Sequence, residues 1–151
     1  MFMWQSVTLI VLALLSLFIS LKSFFESSKK NNVFEETPAL SPLGVFVWGD
    51  GLIFGPFWFL TSIVTLFLSD FVLFCLTFSV FWVVRSFGES IYWFNQQFST
   101  IERNPPQKLR GYSIVKNDSV WFLYQIVWQC VAVISIITSI YFGVMWVKGI
   151  L

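Results

Sequence analysis

Four stretches of this chain carry no charge: Met1 to Leu21, Leu52 to Ser69, Phe71 to Val84 and Ser119 to Val147. Asp70 divides the second from the third, and Arg85 closes the third. Crossing the hydrocarbon core of a bilayer takes about 20 helical residues at about 1.5 Å each. Each run reaches that length or comes close to it. The expected fold is therefore an all-α membrane protein, a small bundle of four transmembrane helices. The alternative is three, if residues 56–84 form one long tilted helix with Asp70 at its centre. An unpaired acid at the bilayer centre costs about 2.5–3.5 kcal/mol on insertion scales. That cost favours a turn at Ser69-Asp70, where either side chain can cap the next helix.

Composition agrees with a lipid environment. The chain is 57% hydrophobic and 11% charged, whereas an average soluble domain carries about 25% charged residues. Exposed to water, so apolar a surface would aggregate. A net charge of +1 leaves no basic footprint for nucleic acid. Histidine is absent, which removes the commonest general base, proton switch and metal ligand. No Ser-His-Asp set is possible, and no GxxxxGK[ST] phosphate loop occurs. The expectation is thus a non-enzymatic chain with no cofactor and no metal. Its 19 Phe, 8 Trp and 4 Tyr are expected to face acyl chains and fill gaps between helices. Cys75 and Cys130 lie within apolar runs and read as small buried hydrophobes.

The whole of residues 1–151 reads as one polytopic domain, with helices at about 2–25, 52–68, 71–94 and 120–147. The N-terminal run lacks the basic start and small-residue cleavage site of a secretory signal, so a retained helix is expected. Residues 43–55 contain Gly49-Asp50-Gly51 and Gly55, with Pro56 just beyond. That density of breakers predicts an interfacial or re-entrant entry rather than continuous helix, with Pro56 in the first turn of the second span. Asn117-Asp118-Ser119 matches a glycosylation acceptor but is explained by capping of the last helix.

Loops at 26–51 and 95–119 join the spans. Lys22, Lys29, Lys30, Arg103, Lys108, Arg110 and Lys116 lie in or beside them, against Lys148 on the other side. The positive-inside rule then places both loops in the cytoplasm and both termini outside, in a multi-pass arrangement in the cell or inner membrane. The second loop sets its four bases against Glu102 and Asp118, and each base near anionic headgroups contributes about 1 kcal/mol.

Two sets of residues are candidates for function. Ionisable groups at membrane depth are expensive and mark sites by default. Arg85 lies about 22 Å beyond the Ser69-Asp70 turn, Glu89 one turn further on the same face, and Asp50 enters from the same side. Asp50, Arg85 and Glu89 are therefore a candidate polar cluster near the cytoplasmic face. The second set is Gln125, Gln129, Ala132, Ser135, Ser139 and Gly143, which share a face of the last helix. Small residues there admit close helix approach, and amides find partners across helices. Ser16, Ser20 and Ser23 in the first span, Thr61 or Ser62 with Thr65 and Ser69 in the second, and Cys75, Ser79 and Ser86 in the third form similar stripes. The expected partners are membrane lipids and another membrane protein or a second copy. The expected function is a small accessory subunit or scaffold, with a small oligomeric transporter or channel as the alternative.

Overall fold

The computed structural model describes residues 1–100 and 103–150. Five α-helices occur among them: α1 Met3–Lys29, α2 Trp48–Phe67, α3 Phe71–Phe98, the short α4 Tyr112–Val115, and α5 Ser119–Ile150. Four of these, all but α4, are long and apolar enough to cross a membrane. The shortest, α2, has 20 residues, about 30 Å of helix. The protein is thus an all-α, multi-pass membrane protein. The three-span alternative fails at Leu68–Asp70. There Ser69 turns left-handed (φ 55°), its amide reaches the Leu66 carbonyl, and the Asp70 amide reaches Thr65. These two bonds form a Schellman ending. Asp70 Oδ1 then accepts the Leu73 amide at 2.9 Å and caps α3, as the turn reading requires.

By internal contacts the chain divides into two compact units, Met1–Thr77 and Phe78–Leu151, with the boundary inside α3. The first unit is built on α1 and α2. The buried stripe of α1 is Leu9, Ala13, Ser16, Ile19, Ser23 and Glu26, spaced three or four apart as one helix face demands. That of α2 is Gly51, Gly55, Trp58, Ser62 and Thr65. A Cβ built on Gly55 would lie 3.0 Å from both Cα and N of Ser20, and one on Gly51 would lie 3.0 Å from the Ser23 Cβ. Gly51 and Gly55 form a GxxxG pair, so the two backbones approach as closely as small residues allow. Later residues of α2 meet earlier ones of α1, so the pair is antiparallel.

This packing corrects the expectation for residues 43–55. The chain is not re-entrant there: α2 begins at Trp48 and continues through Gly49, Gly51, Gly55 and Pro56. The glycines that would weaken a helix in water are the contact points of this one. Pro56 lies on the exposed side.

Ahead of α2, the connecting segment is folded back and tied down. The Thr37 amide donates to the Phe46 carbonyl at 2.7 Å, Trp48 to Glu35 at 3.2 Å, and Gly49 to Val33 at 2.9 Å. Glu36 and Val47 make an isolated antiparallel bridge. A 3-10 turn, Pro38–Leu43, ends on left-handed Gly44. Trp58, fully buried, donates its indole N–H to the Leu43 carbonyl at 2.8 Å. At the opposite end of the pair, Trp4 packs edge-on against Phe71 at 5.3 Å.

The second unit sets the later part of α3 beside α5. Trp93, Val120 and Trp121 form its core, with Leu109, Val115, Tyr124 and Trp128 around them. Trp82 and Trp128 stack at 6.1 Å. The Trp121 indole donates to the Asn104 carbonyl at 2.9 Å, and the Asn104 amide donates to the Tyr92 hydroxyl, so Asn104 is tacked to both helices. Asn117 Oδ1 accepts the Ser119 amide at 2.9 Å and starts α5. Glu102, the expected loop acid, lies outside the described residues. Cys130 is exposed rather than buried, and neither cysteine is in a disulfide; α5 turns Cys130 outward, where lipid receives a thiol as it would a small hydrophobe.

Candidate functional site

Among the described residues, three places hold polar groups at or near membrane depth. The first is on α3. Arg85 Nη2 lies 3.2 Å from Glu89 Oε1, and both side chains are largely buried (19% and 16% exposed). Four residues apart, they share one helix face, and pairing removes most of the cost of holding either charge away from water. The third expected member of this cluster, Asp50, is on α2. Its Oδ2 accepts the backbone amides of Phe46 at 2.9 Å and Val47 at 3.3 Å. Asp50 therefore closes the start of α2, where the exposed amides and the positive end of the helix dipole favour a carboxylate. The Arg85–Glu89 pair is in the second unit and the Asp50 cap in the first.

The second place is the face of α5. Gln125 is half-buried and its Oε1 accepts from Gln97 Nε2 at 2.7 Å. Ala132 and Ser135 are buried, and Ser139 and Gly143 are half-buried. Ser139 donates its hydroxyl to the Ser135 carbonyl at 2.7 Å. Gln129 is different, since it is exposed and its amide meets no partner among the described residues. It lies ten residues into α5, about 15 Å along the helix axis.

The third place was hidden in the sequence. A cavity of about 270 Å³ opens between α1 and the folded-back segment that precedes α2. Leu15, Phe18 and Ile19 form its apolar end, and Lys22, Glu35, Glu36 and Trp48 its polar end; the turn at residues 37–40 completes the wall. Lys22 holds its ammonium 4.8 Å from the centre of the Trp48 ring, a cation–π contact. Nearby, the end of α1 is closed by Glu26, which is buried and accepts from Lys30 at 2.9 Å and Asn32 at 3.4 Å. The sequence signal for the cavity is faint. Glu35 and Glu36 sit in a polar stretch that shows no periodicity, and only the bonds from residues 33–37 to 46–49 bring them against α1.

Among the described residues, no group of three or more His, Cys, Asp or Glu side chains is placed to hold a metal. Compared with known proteins, the chain matches no family model, no curated sequence and no solved structure.

Proposed function

We propose that this chain is a non-enzymatic membrane component, an accessory subunit or scaffold that associates with another membrane protein, or with a second copy of itself, through α5. The observation that carries this reading is Gln129. An amide about 15 Å into an uncharged helix faces hydrocarbon unless another helix supplies its hydrogen bonds. Interhelical amide bonds of this kind contribute about 0.6–2 kcal/mol in a bilayer. The half-buried Ser139 and Gly143 continue the same face and allow a partner to approach closely. The test is association of the full chain in nanodiscs or mild detergent, read by energy transfer between labelled copies and by stoichiometric copurification. Gln129→Leu is expected to weaken that association about 3- to 30-fold. A wild-type chain that stays monomeric at high density and brings down no stoichiometric partner overturns the reading.

A transporter or channel is the second reading, and the Arg85–Glu89 pair supports it. Structural pairs are common, but an ion pair largely buried in a span is the usual mark of a conduction or coupling site. Flux in proteoliposomes that Arg85→Leu abolishes would favour this reading over the first. Both readings take the two long connections to face the cytoplasm and both termini outward, an orientation that the excess of basic residues in those connections supports.

A further inference from the structure

We propose that the cavity between α1 and the segment ahead of α2 binds the headgroup of a phospholipid bearing a primary amine, with the phosphate at Lys22 and the ammonium at Glu35 and Glu36. Depth is the first argument. Lys22 is the first charge after the uncharged run Met1–Leu21, so it reaches the headgroup level by extending along the helix. Trp48 starts α2 at that same level, where an indole ring is favoured. The apolar end of the cavity continues into Leu15 and Phe18, which are 42% and 60% exposed. An acyl chain can follow these two residues down α1 while its headgroup stays above.

Size and charge narrow the ligand. At about 270 Å³ the cavity falls just below the ~300–1,000 Å³ of sites that enclose a drug-sized molecule. It suits a headgroup rather than a whole lipid. Lys22, Glu35 and Glu36 are among the residues that line this open groove, and all three are exposed; one base and two acids are the complement of a zwitterion with one phosphate and one cation. A purely anionic headgroup would leave both carboxylates facing like charge. A choline headgroup has no N–H to donate, and the aromatic face that would best receive it is already covered by Lys22 at 4.8 Å. A primary ammonium brings three N–H donors, and charge-assisted bonds to carboxylate are the strong kind.

The backbone that carries both acids is tied to the start of α2. Trp48 donates to the Glu35 carbonyl at 3.2 Å, and Glu36 pairs with Val47.

The test uses the full chain, delipidated in detergent, with native mass spectrometry of retained lipid. The probes are phosphatidylethanolamine, its N-monomethyl and N-dimethyl derivatives, phosphatidylcholine and phosphatidylglycerol, all with the same acyl chains. The expected result is one retained lipid, with retention falling at each methylation and about tenfold lower for choline than for ethanolamine. The double variant Glu35→Gln with Glu36→Gln is expected to abolish that preference while leaving phosphatidylcholine retention unchanged. Lys22→Gln is expected to weaken all the lipids alike, and Lys22→Arg to restore them. Equal retention across the methylation series by the wild-type chain overturns the proposal, and so does a double variant that keeps the preference. The methylation series needs no variant and decides the matter even if a substitution disturbs folding.

Discussion

At the scale of single residues, the glycines of α2 and α3 illustrate how one residue type takes opposite roles. Gly55 faces Ser20 backbone atoms at 3.0 Å from where a Cβ would stand. Backbone cannot swing aside as a side chain can, so Gly55→Ala is expected to push α1 and α2 apart and cost about 1–3 kcal/mol. Around Gly88, in α3, nothing lies within 4 Å of a built Cβ. Gly88→Ala is therefore expected to stabilise the helix by about 0.5–1 kcal/mol through propensity alone. Reversible unfolding in mixed micelles distinguishes the two, and equal effects would show that the α1–α2 contact is looser than described. The caps make a second pair. Asp70→Ala removes the bond to the Leu73 amide and is expected to cost about 1 kcal/mol, whereas Asp70→Ser keeps an acceptor and is expected to lose far less.

Among elements, α1, α3 and α5 were legible because long uncharged runs have few alternatives in lipid. The turn before α3 was legible too, since an acid between two apolar runs has one inexpensive place to stand. The start of α2 was not. Gly49, Gly51 and Gly55 follow the rules of a loop when each is weighed alone. They follow those of a helix once Ser20 and Ser23 of α1 are placed opposite, and that pairing is a long-range fact. Asp50 was visible as an acid at the right depth, but its engagement with the Phe46 and Val47 amides depends on where α2 begins. The Gln97–Gln125 bond has the same character: Gln125 was readable as a packing amide, its partner was not. The folded-back segment yields its own prediction. Trp58→Phe keeps the ring but removes the donor to the Leu43 carbonyl. The expected cost is about 1–3 kcal/mol for a buried acceptor left unmet. Faster proteolysis between residues 37 and 47 would report it, and unchanged cleavage there would mean that the other bonds of this segment suffice.

For the whole molecule, crossing by all four long helices would bring both ends to one side of the membrane, and that arrangement is the expected one. Tags at both termini are expected to react with an impermeant reagent from the same face, and cysteines placed at Lys30 and Lys108 from the opposite face. Labelling of the two ends from different faces would require an odd number of crossings. The division of the chain inside α3 has a practical outcome for anyone who would take the protein apart. Phe71 packs on Trp4, and Phe74 on Trp58, yet both belong to the helix that also supplies Trp82 and Trp93 to the later half. A gene split at the obvious place, the Ser69 hairpin, would assign those two phenylalanines to the wrong fragment. The two halves could then be rebuilt only by complementation within the bilayer, not expressed as separate, self-sufficient modules.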